Sequence, residues 1–119
     1  MSRILAVDDT RALRNMLVDC LEKAGHEVFV AADGREALDQ LRKHKPDMVI
    51  TDLNMPIMNG IEFIEAARAD PAGRALPMLL LTTETAEELK ARARRAKATG
   101  WLTKPFDPDV ILSLVKQLA

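Results

Sequence analysis

The chain has 119 residues, of which 48% are hydrophobic and 29% are charged, and its formal net charge is -1. This length suits a single globular domain spanning residues 1–119, and the composition is ordinary for a soluble protein. The near-zero net charge argues against general binding to nucleic acids or membranes, since both favour a basic excess. No apolar run approaches the roughly 18 residues of a membrane helix, and none resembles a signal peptide, so we expect a cytoplasmic protein.

Short apolar runs alternate with longer amphipathic stretches along the chain. The apolar runs predict strands over residues 3–7, 27–31, 47–51, 78–81 and 101–103. The amphipathic stretches predict helices over residues 11–24, 34–44, 60–69, 85–98 and 108–118. Gly25 suits a helix end, Pro46 stops the second helix, and Asp107-Pro108 is typical of a helix start. This strict alternation predicts an α/β fold with a parallel sheet and helices on both faces.

Polar side chains follow four of the predicted strands. Asp8 and Asp9 follow the first strand, and Asp52 follows the third. Thr82 follows the fourth strand and Lys104 the fifth. Because ligands of open parallel sheets gather outside the carboxyl ends of the strands, we expect these side chains to share one cleft.

This set of side chains is what a carboxylate needs in order to accept a phosphoryl group. Asp52 and the incoming group are both anionic, so the attack requires positive charge between them. Asp8, Asp9 and Asp52 could hold Mg²⁺, which prefers oxygen ligands and often combines one or two carboxylates with phosphate oxygens. Lys104 would supply a second positive charge and Thr82 a hydrogen bond to another phosphoryl oxygen. The product would be an aspartyl phosphate.

Each of these residues also has a plain structural interpretation. Asp9 or Thr10 could cap the first helix, and Asp52 could simply form a turn. Thr82 could cap the fourth helix, and Lys104 could be an ordinary surface lysine. The joint arrangement favours a site, because three clustered carboxylates are costly without a bound cation.

The motifs closely resemble the receiver domain of two-component response regulators, over the whole chain. The matching segments are Val7-Asp8-Asp9, Thr51-Asp52-Leu53-Asn54-Met55-Pro56 with Met58-Asn59-Gly60, Leu81-Thr82, and Lys104-Pro105-Phe106. The resemblance implies a flavodoxin-like fold with five parallel strands in the order 2-1-3-4-5. It also implies a protein that is not an enzyme, except that it assists its own phosphorylation and dephosphorylation.

The resemblance assigns the acidic residues to phosphorylation and metal binding. It implies that Asp52 is the phosphorylated residue. It implies that Asp9 and Asp52 bind Mg²⁺ directly and that Asp8 acts largely through water. The backbone carbonyl of Asn54 would complete the protein ligands.

The resemblance also implies roles for the residues that follow the last two strands. Thr82 and Lys104 would contact the phosphoryl group, and the peptide bond before Pro105 would be cis, which proline makes accessible. Trp101 stands where the family usually has a switch tyrosine or phenylalanine, so Thr82 and Trp101 would form the switch. Thr83 is a departure from the usual alanine or glycine, and its bulk is expected to slow phosphoryl access.

The function implied by the resemblance is signalling, with chemotaxis as the expected pathway. A histidine kinase would supply the phosphoryl group. The output partner would be the flagellar motor switch or another protein, bound through the surface near residues 85–118. A receiver that drains phosphoryl groups back through the kinase would share these residues, so that alternative stays open. We expect a monomer that binds neither nucleic acid nor membrane, and no DNA-binding output domain after Ala119.

The fourth predicted helix combines many cations with little apolar surface. Its apolar stripe is Ala86, Leu89, Ala93 and Ala96, and its cations are Lys90, Arg92, Arg94, Arg95 and Lys97. The basic side is either a solvated face or a docking surface for an acidic peptide. Because alanines bury little area, we expect this helix to be weakly held.

Two other protein classes fit the sequence less well. Haloacid-dehalogenase-type phosphatases form an aspartyl phosphate on the first strand within a DxD motif, whereas that strand here ends Asp8-Asp9-Thr10. A flavodoxin would need a Ser/Thr-rich phosphate loop after the first strand and aromatic residues to stack the flavin. The segment at residues 10–13 and an aromatic content of 3% offer neither feature.

Overall fold

The computed structural model describes residues 1–119 as alternating strands and helices. The strands are β1 (Arg3–Val7), β2 (Glu27–Ala31), β3 (Met48–Thr51), β4 (Met78–Thr82) and β5 (Gly100–Thr103). The helices are α1 (Arg11–Lys23), α2 (Gly34–His44), α3 (Gly60–Ala69), α4 (Glu87–Arg95) and α5 (Pro108–Leu118). All neighbouring strands are parallel, and their order, β2-β1-β3-β4-β5, confirms the expected fold. None of the helices has the length and apolar character that crossing a membrane requires.

The central strands separate two hydrophobic cores. Leu5 and Val7 of β1 face the core that contains α2, α3 and the buried Ala93 of α4. Ile4 and Ala6, on the opposite face of the same strand, pack in the core with α1 and α5. Both faces of the sheet are therefore covered, which explains why the central strands β1, β3 and β4 are apolar over most of their length.

Local capping signals set the starts of α3 and α5. The Asn59 side chain accepts a hydrogen bond from the Glu62 N–H (2.9 Å), and the Glu62 carboxylate accepts one from the Asn59 N–H (3.0 Å). This reciprocal pair is a capping box. The Asp107 side chain accepts from the Asp109 N–H (2.9 Å), and Pro108 is the first residue of α5. The start of α5 agrees with the Asp107-Pro108 signal in the sequence.

Helix α4 is shorter than the sequence predicts, because it spans Glu87–Arg95 and not residues 85–98. Ala86 precedes it in an extended conformation and has no side-chain group that could cap the helix. At the other end, Lys97 adopts a positive φ of 69°, which stops helical propagation. Ala93 is the only residue of the helix that is buried, and Ala86 of the expected apolar stripe is exposed. The helix is therefore held by little apolar area.

The loop between β3 and α3 closes tightly at its base. The Gly60 N–H donates to the Leu53 carbonyl (2.8 Å). A Cβ atom at Gly60 would collide with the backbone carbonyl of Asp52, so only glycine fits this close approach. The start of α3 is thereby held against the end of β3.

The tip of this loop is a strained three-residue turn centred on Ile57. Ile57 has a φ of 69°, and the Met58 N–H donates to the Pro56 carbonyl across it (2.7 Å). A β-branched residue is rarely found in this conformation, and the Ile57 side chain is 75% exposed, so packing contributes little there.

We predict that Ile57→Asn raises the free energy of unfolding by about 1 kcal/mol, because asparagine tolerates positive φ far better than isoleucine does. Urea denaturation of the metal-free protein measures this change. Val30→Asn is the control, because Val30 is also a partly exposed apolar residue (40%) but lies in a regular strand, so that variant should not be stabilised. Unchanged or reduced stability of Ile57→Asn would contradict the assignment of strain.

Candidate functional site

Three aspartates meet at the carboxyl ends of β1 and β3. One carboxylate oxygen from each of Asp8, Asp9 and Asp52 lies within 4.8 Å of the others. Asp8 and Asp52 are buried, at 5% and 7% exposure, whereas Asp9 is exposed. The structure thus brings together the three carboxylates that the sequence places after two different strands.

Lys104 lies between the two buried carboxylates. Its Nζ atom is 3.0 Å from Asp8 Oδ2 and 3.3 Å from Asp52 Oδ2, and its side chain is only 11% exposed. The remaining oxygens accept backbone hydrogen bonds, Asp8 Oδ1 from the Thr10 N–H (2.8 Å) and Asp52 Oδ1 from the Leu53 N–H (2.8 Å). Lys104 is therefore not an ordinary surface lysine, and both carboxylates have fixed orientations.

Thr82 and the residues after β5 border the same cleft. The fully buried Thr82 hydroxyl accepts a hydrogen bond from the Glu84 N–H (3.2 Å), while the Lys104 N–H donates to the Thr82 carbonyl (2.9 Å). The Lys104–Pro105 peptide bond is cis. Asn54 is exposed, and its side-chain amide donates to the Glu84 carboxylate at 3.5 Å. Thr82 does not cap α4, because that position belongs to Ala86.

Trp101 lies on the same face of the sheet as Thr82. Strand pairing places Trp101 opposite Leu80 and Thr103 opposite Thr82. Because side chains two residues apart in a strand share a face, Trp101 and Thr82 point into the same layer. The indole is half-buried against the core beneath α3 and α4, and its Nε1–H is enclosed without a hydrogen-bond partner. Thr83, which follows Thr82, is exposed.

The charges of the cleft do not balance. Burial raises the pKa of the Asp52 carboxyl above its ordinary value, and the charge of Asp8 adds to this effect, while the Lys104 ammonium opposes it. One ammonium group faces three carboxylates, which leaves an excess of negative charge. A donor set made entirely of carboxylate oxygens fits Mg²⁺, and a divalent cation would offset this excess.

Asp9 does not act as a helix cap, and neither does Thr10. Thr10 precedes α1 with no side-chain capping hydrogen bond, and its backbone N–H donates to Asp8. We predict that Asp9→Ala weakens Mg²⁺ binding at least about tenfold, because it removes an exposed carboxylate from the cluster. The free energy of unfolding in EDTA should stay unchanged or increase, because like-charge repulsion falls.

Calorimetric Mg²⁺ titration and urea denaturation measure these two effects of Asp9→Ala. Asp39→Ala, at an exposed position of α2, is the control for removing a carboxylate elsewhere. A marked loss of stability in EDTA with unchanged Mg²⁺ affinity would restore the capping interpretation.

Arg14 is a further contributor to the site that the sequence does not reveal. Its Nη1 atom donates to the backbone carbonyl of Asp8 (2.8 Å), which anchors the chain at the end of β1. No motif marks Arg14, because it lies in α1 among ordinary helical residues. Only the position of α1 against the end of β1 brings it into the site.

The chain is similar to known proteins along nearly its whole length. The family model described as the response regulator receiver domain matches residues 4–116. Protein PilH of Pseudomonas aeruginosa is 36% identical over 115 residues, which cover 97% of this chain and 95% of the relative. A chemotaxis protein CheY homolog of Campylobacter jejuni is 35% identical over 111 residues, covering 92% of this chain and 85% of the relative. The solved structure of the Vibrio cholerae chemotaxis protein CheY4 superposes with a TM-score of 0.94 at 44% identity, covering 100% of this chain and 99% of that one. The chain belongs to the response regulator receiver domain family of two-component signalling.

Proposed function

We propose that this chain accepts a phosphoryl group from a histidine kinase on Asp52, in the presence of Mg²⁺, and signals by contact with another protein. As a family, receiver domains take phosphoryl groups from histidine kinases, act on output partners and bind Mg²⁺ at an acidic pocket. The observation that carries the proposal is the Lys104 ammonium group held between Asp8 and Asp52, beside the third carboxylate, of Asp9. This arrangement supplies an oriented carboxylate and a cation at the same point.

The proposed transfer breaks the P–N bond of a phosphohistidine and forms a P–O bond to a carboxylate oxygen of Asp52. The Leu53 N–H fixes Asp52 Oδ1, and Lys104 favours the ionised form that can attack. Asp8, Asp9, Asp52 and the backbone carbonyl of Asn54 would hold Mg²⁺. When bound, Mg²⁺ supplies positive charge that offsets the repulsion between the carboxylate and the phosphoryl oxygens.

After transfer, two side chains are available to contact the new phosphoryl oxygens. Lys104 Nζ now binds Asp52 Oδ2 and would turn to one of the free oxygens of the phosphoryl group once phosphorus is bonded to the Asp52 carboxylate. The Thr82 hydroxyl accepts from the Glu84 N–H, so its own O–H proton is free to be donated to a second phosphoryl oxygen. Because Trp101 shares the face of Thr82, the pair is proposed as the switch that carries the change to the surface.

The proposed pathway is chemotaxis, with the flagellar motor switch as the output partner. Its support is the similarity to two proteins described as chemotaxis proteins, the Campylobacter jejuni CheY homolog and the Vibrio cholerae CheY4. The proposed contact surface lies near residues 85–118, where the exposed side of α4 carries Arg92, Arg94 and Arg95. These cations suit an acidic segment of a partner.

The test is to phosphorylate the purified protein with a histidine kinase and compare two fates of the phosphoryl group. Binding of the phosphorylated form to purified flagellar switch protein should be at least about tenfold tighter than binding of the unphosphorylated form. Fluorescence anisotropy measures this difference. Return of the phosphoryl group to the kinase, without any gain in binding to the switch protein, would contradict motor signalling and would support the phosphate-sink role.

A further inference from the structure

Helix α4 is weakly held at its N-terminal end, which is the end nearest the cleft. Its N-cap residue, Ala86, offers no side-chain hydrogen bond, and the residues at positions 85–88 are exposed. The segment that leads into the helix begins at Thr82, whose hydroxyl accepts from the Glu84 N–H. A change at Thr82 therefore acts directly on the segment that enters α4.

The C-terminal end of α4 is closed by a Schellman motif. The Ala98 N–H donates to the Ala93 carbonyl (3.0 Å), and the Lys97 N–H donates to the Arg94 carbonyl (3.0 Å). Lys97 adopts the positive φ that this motif requires. The carbonyl of Lys97 points out of the helix end and is available to a donor from another element.

Arg68, in the last turn of α3, supplies that donor. Its Nη2 and Nε atoms donate to the Lys97 carbonyl at 2.8 and 3.1 Å. Its Nη1 atom donates to the carbonyls of Gly73 (2.7 Å) and Leu76 (2.6 Å) in the loop between α3 and β4. One guanidinium group thus joins three segments of the chain, and hydrogen bonds from a charged donor are stronger than neutral ones.

We propose that Arg68 fixes the C-terminal end of α4, so that phosphorylation swings the N-terminal end of the helix about this fixed point. The inference deepens the proposed function and rests on phosphorylation of Asp52. Apolar packing at the C-terminal end is limited to two small buried side chains, Ala93 in the last turn of α4 and Ala96 at its C-cap, which bury little area. Arg68 is a positioning residue, because it acts on the output helix through the Lys97 carbonyl and does not touch the phosphoryl group.

Pulsed electron paramagnetic resonance on two doubly labelled proteins tests the pivot. Both carry Cys20→Ser and a nitroxide at Asp39→Cys on α2, with a second nitroxide at Glu88→Cys or at Arg95→Cys. All three labelled positions are exposed. When Mg²⁺ and beryllofluoride, a phosphoryl mimic, are added, the distance to position 88 should shift while the distance to position 95 stays unchanged. Equal shifts at both positions would overturn the proposal.

Arg68→Ala should make the distance to position 95 shift and broaden with beryllofluoride, because the fixed end is lost. Arg68→Lys keeps the positive charge but cannot donate to the same set of carbonyls, so it should show the same defect. It replaces the alanine variant in this experiment if Arg68→Ala does not fold. Arg42→Ala is the matched control, because Arg42 pairs with Asp70 at the start of the same loop (2.8 Å) and belongs to α2. An Arg68 variant that behaves like Arg42→Ala would contradict the pivot.

Hydrogen exchange tests, without any phosphoryl mimic, whether the hydrogen bonds from Arg68 to the Lys97 carbonyl hold the C-terminal end of α4. The amides of Lys97 and Ala98 should exchange about tenfold faster in Arg68→Ala than in the wild type or in Arg42→Ala. Unchanged exchange would show that Arg68 does not hold this end and would overturn the proposal. If beryllofluoride does not bind the wild type, the proposed phosphorylation of Asp52 is contradicted. The exchange rates still decide, independently, whether Arg68 holds the C-terminal end of α4.

Discussion

Asp52→Asn is expected to abolish phosphorylation by a histidine kinase or by a small-molecule phosphodonor. The amide has the shape of the carboxylate but is neutral, so it is a far weaker nucleophile and a far weaker ligand for Mg²⁺. Chelation of Mg²⁺ by EDTA should abolish phosphorylation of the wild type as well, because the repulsion between two anions is then no longer offset. Labelling with a radioactive phosphodonor, followed by gel electrophoresis, measures both losses.

The free energy of unfolding of Asp52→Asn shows whether its loss of phosphorylation comes from the missing carboxylate or from a loss of folding. The pKa of the Asp52 carboxyl is raised in the folded protein, so the ionised form costs stability at any pH above its unfolded pKa. The asparagine variant should therefore be more stable than the metal-free wild type at neutral pH, because the neutral amide avoids the cost of the buried ionised carboxylate. Asp39→Asn, the same change at an exposed position, should be phosphorylated normally. Labelling of Asp52→Asn at the wild-type rate would refute Asp52 as the acceptor.

Lys104→Ala is expected to leave Asp52 phosphorylatable but to remove the gain in partner binding that phosphorylation brings. The lysine now bridges Asp8 and Asp52, and we expect it to follow the negative charge onto the phosphoryl group and draw its own loop inward. Without the ammonium group, that movement has no driving contact. Anisotropy of the phosphorylated variant with the switch protein, at confirmed stoichiometry of labelling, measures the loss.

The pKa of Asp52 provides an independent measurement for this variant. Lys104 lowers that pKa, so Lys104→Ala should raise it further above the ordinary value, which an NMR titration in metal-free buffer would detect. Lys43→Ala, at an exposed position of α2, is the control for a lost positive charge. Partner binding that strengthens normally in the phosphorylated Lys104→Ala protein would show that the lysine serves the transfer alone.

The fold was predictable from local patterns, because each pattern expresses a physical requirement that acts over a few residues. Central strands covered on both faces must be largely apolar, and runs such as residues 48–50 meet that condition. Capping side chains such as Asn59 and Asp107 mark helix starts within one turn. The resemblance added the order of the strands, which the alternation of elements leaves open.

The ends of α4 could not be predicted in the same way. Alanines and cations favour a helix over residues 85–98, yet the helix ends at Arg95 because Lys97 takes a positive φ that the Arg68 guanidinium helps to hold. Arg68 lies 29 residues earlier in the chain. No local pattern signals such a contact.

The sequence by itself determined the alternation of strands and helices, and with it that Asp8, Asp9, Asp52, Thr82 and Lys104 follow strands of one parallel sheet. Only the tertiary structure decided the partners of each group, namely that Lys104 bridges Asp8 and Asp52 and that Asp9 faces solvent. It also decided that Ile57 occupies a strained turn. The reason is physical, since periodicity and capping depend on neighbours in sequence, whereas hydrogen bonds, burial and charge pairing depend on neighbours in space.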